Sequence, residues 1–330
     1  MKPIFCCLED GTLFEGVSVN EPVECAGLLS FYTGVVGYQE VITDPANLGK
    51  IIVYTYPLIG NYGVNSEDAE SASPKVEAIL AKEYPPYYSN FRAEMSLCDY
   101  LATSKTLLGH KFDTRAMMVY MREHGEMGAV ISTHQLTANE VRDRLAKTQH
   151  AEYEPENSPI ACDRAVPTAR AEVIDFGASR SFYRHIASLG IDAACDSESA
   201  EIVIVSDAPY YAVEDKRKID LVKSRLGEKP ILGFGHGCAI VAQACGAAVK
   251  KLPFGDHGLN IPVKHRGGGR NEITVQNHNY VVIPGGSTEC LFTNIHDGTC
   301  EGFVCKEARA AGANFLPNEA WFQSMLDAVK

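Results

Sequence analysis

The stretch Gly233-Phe234-Gly235-His236-Gly237 has the layout that raises a catalytic Ser or Cys above the edge of a sheet. An apolar strand start, Pro230-Ile231-Leu232, leads into a sharp turn with a glycine on either side of its central residue. A helical run from Cys238 to Gly246 follows. The central residue is Gly235, which has no side chain to attack with. Glycine also adopts strained backbone angles at little cost, so a glycine apex relaxes the turn. Two neighbours carry reactive groups. Cys238 lies one helical turn past the apex, faces the sheet on that spacing, and is expected to be structural. His236 has no spaced partner and is expected to be a hydrogen-bonded surface or pocket residue. His257, His265 and His278 do not have zinc-ligand spacing, so no metal site and no cofactor are expected.

The elements around this turn alternate. Strands are expected at Glu172 to Asp175, Ala200 to Ser206 and Pro230 to Gly233, with helices at Ser181 to Leu189, Lys216 to Leu226 and Cys238 to Cys245. That order implies βαβ units and a mainly parallel sheet. Earlier, Ile4 to Leu8 and Leu13 to Val19 flank an Asp10-Gly11 turn, a hairpin signal. A β run at Lys50 to Tyr56 and helices at Ser96 to Ser104 and Thr114 to His124 follow. Residues 151–170, broken by Pro155, Pro159 and Pro167, read as a linker between domains at 1–150 and 171–330. Gly267-Gly268-Gly269 is a flexible loop.

With 330 residues, 45% of them hydrophobic and 22% charged, the chain has the composition of an ordinary globular protein. A net charge of -12 disfavours nucleic acid and anionic membranes as partners. No apolar run reaches the roughly 20 residues that span a bilayer, and the N-terminus lacks a signal-peptide pattern, so a cytoplasmic location is expected. Eleven cysteines without any Cys-x-x-Cys spacing read as small hydrophobes in a reducing compartment. Tyr87-Tyr88 and Tyr210-Tyr211 lack interleaved basic residues and suggest packing or pocket filling.

The first segment resembles the amino-terminal domain of the carbamoyl-phosphate synthetase small subunit. The resemblance rests on Leu8 to Thr12, Thr33 to Pro45, Thr55 to Asn65, Ser89 to Arg92 and Asp113 to Arg115. The second resembles the class I glutamine amidotransferase domain that follows in that family. Asp175 to Ala178, the Gly233 to Gly237 turn, Phe254 to Gly258, Asn260 to Lys264, Gln276 to His278 and Asp297 to Thr299 fall in family order. The implied fold is a β-rich α/β domain followed by a flavodoxin-like, open, mostly parallel sheet with helices on both faces.

That family hydrolyses glutamine with a Cys-His-Glu triad in which the thiolate attacks, the imidazole moves the proton and the carboxylate orients the ring. The resemblance places the Cys on Gly235, the His on Pro317 and the Glu on Glu319. Nucleophile and base are both missing, and Glu319 is expected to have a new ion-pair partner. Further degenerate glutamine-pocket positions are Ala46, Ala208, Tyr210, Cys238, Ala239, Asn277, Asn279 and Tyr280. The matching interface region comprises the loops bearing Tyr38, Gln39, Glu40, Asn61 and Tyr62, with Gln39 and Asn61 expected to be exposed.

The function implied is a non-hydrolysing small subunit that docks on a large-subunit-like, ammonia-using synthetase, in pyrimidine or arginine biosynthesis, as scaffold or regulator. Two alternatives differ in class. One is a stand-alone small-molecule-binding or assembly protein, with self-association as its simplest partnership. The other is an enzyme with new chemistry in the old cleft, using His236, Cys238 or Glu319.

Overall fold

The computed structural model describes residues 2–21 and 23–330. They divide into two compact units, Met1–Glu152 and Tyr153–Lys330.

The first unit opens with β1 (Pro3–Leu8) and β2 (Leu13–Ser18), joined by a tight turn in which Gly11 adopts φ 97°. Next come β3 (Cys25–Tyr32), α1 (Tyr38–Thr43), β4 (Lys50–Tyr54), β5 (Ala78–Leu80), α2 (Leu97–Ala102) and β6 (Leu107–His110). The unit ends with α3 (Thr114–His124), β7 (Gly128–Ser132) and α4 (Ala138–Lys147). The seven strands close into a barrel in the order β1-β2-β6-β5-β4-β3-β7, with β7 sealing it against β1. Strands β3 to β6 run parallel to one another, which accounts for the fully buried apolar runs in β4 and β5. Helix α4 starts at a capping box in which the Thr137 hydroxyl accepts the Glu140 N–H and the Glu140 carboxylate accepts the Thr137 N–H.

The second unit carries β8 (Ala169–Ile174), α5 (Arg180–Ser188), β9 (Ile191–Asp192), β10 (Ile202–Val205), α6 (Lys216–Lys223), β11 (Ile231–Phe234) and α7 (His236–Ala244). A second run follows: β12 (Ala248–His265), β13 (Glu272–Ile283), β14 (Thr288–Asn294), β15 (Cys300–Cys305), β16 (Ala310–Ala313) and α8 (Glu319–Val329). These strands form one sheet, β13-β12-β14-β15-β16-β11-β10-β8-β9. The portion β16-β11-β10-β8-β9 is parallel, and β12 to β15 add an antiparallel extension ending at β16. The Gly267-Gly268-Gly269 stretch is the turn of the long β12–β13 hairpin.

Both faces of the parallel portion are covered, and strand alternation sorts the side chains. Ile202 and Ile204 of β10, with Leu232 and Phe234 of β11, pack under Phe182 and Ile186 of α5 and Phe322 and Met325 of α8. Val203 and Val205, with Ile231, pack under Val222 of α6 and Cys238, Ile240 and Val241 of α7. The strand-period and helix-period faces therefore interlock as a three-layer core. Residues 153–168 form no helix or strand, yet they are tied to this unit: Asn157 donates to the Ala178 carbonyl and Arg164 pairs with Glu319. Of the eleven free cysteines, Cys6, Cys7, Cys238, Cys300 and Cys305 are buried and the rest half-buried. Among the described residues, no helix is long and apolar enough to cross a membrane.

Candidate functional site

Strands β8, β10 and β11 end at one edge of the sheet, where open α/β folds place their ligand crevice. The turn from β11 into α7 is tight because the helix starts within backbone contact of the strand ends. A Cβ on Gly237 would lie 2.1 Å from the Ser206 carbonyl oxygen, and one on Gly233 would lie 2.6 Å from the Gly237 carbonyl oxygen. Gly237→Ala is therefore expected to destabilise the unit by about 1–3 kcal/mol through overpacking. A fall in the urea midpoint at unchanged m-value measures it; an unshifted midpoint would mean the helix slides outward freely.

Gly235 sits at the apex with φ 57° and ψ -134°, backbone angles that L side chains rarely adopt. The turn thus has the geometry of a nucleophile elbow with a glycine at its apex. The space beyond the missing side chain is occupied: a Cβ on Gly235 would lie 2.2 Å from Asp207 Cγ. Asp207 belongs to the loop after β10. Its Oδ1 accepts the backbone N–H of Ala208 at 2.7 Å, the backbone N–H of His236 at 2.7 Å and His236 Nδ1–H at 3.1 Å. His236 is hydrogen-bonded, as expected, and buried, which rules out the surface alternative. Its Nε2 accepts the Asn279 N–H at 3.3 Å, so the proton sits on Nδ1, facing Asp207. The ring orients a carboxylate and is not open to solvent.

Deeper in the sheet, His257 Nδ1 donates to Asn277 Oδ1 at 2.8 Å, and Asn279 Nδ2 approaches His257 Nε2 at 3.4 Å. His278 is fully buried. Its Nδ1 donates to the Tyr280 carbonyl at 3.1 Å, and its Nε2 lies 3.1 Å from Glu301 Oε2 and 2.9 Å from Gln276 Oε1. Both ring nitrogens face acceptors, which makes the ring an imidazolium. Burial alone would lower the His278 value, but Glu301, Asp256 and the Tyr280 carbonyl raise it on balance. Burial likewise opposes ionised Glu301, yet His278, Asn314 and Thr299 hold its carboxyl down at about 2. Asp256, raised by its own burial, completes the group, with donor atoms within 4.8 Å of one another. A divalent ion would fit that spacing; His278 Nε2 contacts Glu301, while Asp256 Oδ2 stands 4.0 Å from it, buried and without a hydrogen-bond partner.

Most of the remaining candidate positions are packed or hydrogen-bonded within their own unit. Cys238 is buried, its Sγ is 2.8 Å from where a Gly312 Cβ would stand, and burial pushes its thiol well above the usual range. Ala239 packs with Val213 and Tyr280, whose hydroxyl donates to Glu214 at 2.8 Å. Tyr210 and Tyr211 are half-buried and meet edge to face at 5.3 Å. Ala46 lies in the first unit, in the 3-10 turn Pro45–Asn47, with its N–H on Asp44. Pro317 offers only its carbonyl, which accepts from His185 Nε2 at 2.9 Å. Glu319 has its new partner, Arg164, at 2.9 Å. The pair is exposed, so its contribution is about 0–1 kcal/mol.

The interface expectation needs correcting at two residues. Gln39 is buried, not exposed, with its amide accepting from and donating to the Asn65 backbone. Tyr38 is also buried, stacked on Tyr62 at 4.1 Å, and the Tyr62 hydroxyl accepts the Gly37 N–H. Both lock the 37–43 segment to the 61–65 segment. Glu40 and Tyr62 are half-buried and Asn61 is exposed. The most exposed large hydrophobic residues among the described residues of this unit are Val35, Val36, Tyr87 and Phe91, the last 97% exposed, so Tyr87 does not fill a pocket. Asp207 and the Asp256–His278–Glu301 group escaped sequence reasoning. The one local signal was an acid immediately before Ala208.

A parallel sheet with helices on both faces and an elbow at its carboxyl edge defines the second unit as a class I amidotransferase-type domain. Comparison with known proteins agrees. The carbamoyl-phosphate synthase small chain CPSase domain matches residues 6–131, and class-I glutamine amidotransferase matches residues 170–319. The carbamoyl phosphate synthase small chain of Clostridium perfringens is 35% identical, covering 94% of this chain and 92% of its own length. That of Symbiobacterium thermophilum is 36% identical over 90% and 88%. The pyrimidine-specific small chain of Halalkalibacterium halodurans is 31% identical over 94% and 90%. This chain belongs to the carbamoyl-phosphate synthase small chain family.

Proposed function

We propose that this chain is a small subunit that has lost glutamine hydrolysis and serves an ammonia-using carbamoyl-phosphate synthase large chain as scaffold or regulator. The observation that carries the reading is Gly235 at the elbow apex with the Asp207 carboxylate standing where a nucleophile's side chain would go. Pro317, at the family's base position, cannot take a proton. Without thiolate and imidazole there is no acyl-enzyme route, since each acts through the other. The names of the relatives support a subunit role. The exposed Phe91, Val35 and Val36 supply apolar surface of the kind that interfaces bury.

The test is co-expression with a carbamoyl phosphate synthase large chain, followed by assays with ammonium and with glutamine. Carbamoyl phosphate is expected from ammonium alone, with glutamate release at background. Glutamine-dependent synthesis would overturn the reading, and its loss in Cys238→Ala would locate a displaced nucleophile. Phe91→Ala is expected to weaken association about tenfold or more at unchanged melting temperature, as for a truncated aromatic anchor. Unchanged affinity would remove this loop from the interface.

A further inference from the structure

We infer that Asp207 is an internal ligand that closes a ready-made anion cradle at the elbow. The inference rests on the loss of the nucleophile, because the carboxylate occupies the volume which that side chain would need. The cradle is built from two elements. Ala208 contributes its N–H from the loop after β10, and His236 contributes its N–H from the first turn of α7; both point at the same Asp207 oxygen at 2.7 Å. The His236 ring adds a third donor at 3.1 Å, held in that role because its other nitrogen is engaged by the Asn279 N–H. Convergent donors at a helix N-terminus stabilise negative charge on a carboxylate or a tetrahedral oxyanion alike.

Every element that would hold an external carboxylate is therefore in place, and the chain supplies the carboxylate itself. The loop is held for this purpose from behind. The Ser206 hydroxyl accepts the Phe176 N–H at 2.9 Å and donates to the Asp207 carbonyl at 2.8 Å, which pins the backbone on either side of the side chain. A carboxylate tethered next to one of its own donors competes at an effective concentration far above that of a free anion. Small carboxylates and the acyl oxyanion of an amide substrate are excluded together. The contact also fills the space beside the apex of a backbone turn that keeps φ 57°.

The probe is sodium formate, titrated against the full chain while the Ala208 and His236 backbone amide resonances are followed by NMR. In wild type these resonances are expected to stay put. In Asp207→Ala they should shift together and saturate, with apparent affinity at least about tenfold tighter than any wild-type response. Asp207→Gly removes the same carboxylate and serves if the Ala variant does not fold. A folded variant whose two amides ignore formate would overturn the cradle, as would a wild type that binds formate as tightly as the variant. Glutamate release by wild type is scored separately. It would overturn the non-hydrolysing reading while the formate titration still decides the cradle.

Discussion

Gly235→Cys is expected to place a thiol at the elbow apex without restoring glutamine hydrolysis. Three obstacles act independently. The backbone at φ 57° and ψ -134° costs a residue with a Cβ about 1–3 kcal/mol. The new Cβ would stand 2.2 Å from Asp207 Cγ, so the carboxylate must leave three hydrogen-bond donors to make room. On the proposed reading the base position is Pro317, and in a nucleophile–base pair the loss of one member costs nearly as much as the loss of both, on the order of 10^6-fold. Glutamate release should therefore stay at least about 10^4-fold below that of an active enzyme. Alkylation by iodoacetamide should be slow in Gly235→Cys and faster in Gly235→Cys/Asp207→Gly, where the helix N-terminus favours the thiolate. Substantial turnover by the single variant would reveal a working base and a mobile Asp207.

Glu301→Ala should be the most damaging substitution away from the elbow. Glu301 on β15 and His278 on β13 are both fully buried, and the Glu301 carboxylate also accepts from Asn294, Thr299 and Asn314. Removing one member of such a pair strands the other in a poorly solvated interior, at a loss of about 3–5 kcal/mol. Glu301→Gln retains hydrogen-bonding groups and should lose less. The pH dependence has two sides. Glu301 titrates at about 2 when folded, so its contribution is complete above the unfolded carboxylate range and disappears as pH falls toward that value. His278 is raised, so its contribution is complete below the ordinary histidine range and disappears as pH rises through the folded value. The fall in urea midpoint on acidification from about pH 5 to about pH 3 should be shallower in Glu301→Gln than in wild type. Equal slopes, or an Ala variant as stable as wild type, would remove this pair from the account of stability.

Local chemistry was legible from the chain. Helix α3 ends in the sequence where it ends in space, since Asp113 caps one end and Gly125 follows the other. The β8 to α7 alternation was readable because buried parallel strands are short apolar runs and the helices between them repeat at helical spacing. The vacancy at Gly235 and the proline at 317 are matters of residue identity, which no fold can alter. Strands β12 to β16 were not assigned, because exposed and buried residues intermix along the bulged β12–β13 hairpin. Strand β5, three buried residues long, is too short to show any period.

Only the tertiary structure decided what surrounds the vacancy. Asp207 reaches His236 and Gly235 across 28 or more residues, and His278 finds Glu301 on a different strand. Gln39, polar and next to a glycine turn, is buried because Asn65 satisfies both ends of its amide. Periodicity reports which face of an element is apolar, not which polar group on another element will meet it. The residues themselves put a glycine at 235 and a proline at 317. Long-range packing determined that the empty apex is filled by a carboxylate held on two backbone amides, because those donors come together only when β10 and β11 lie side by side.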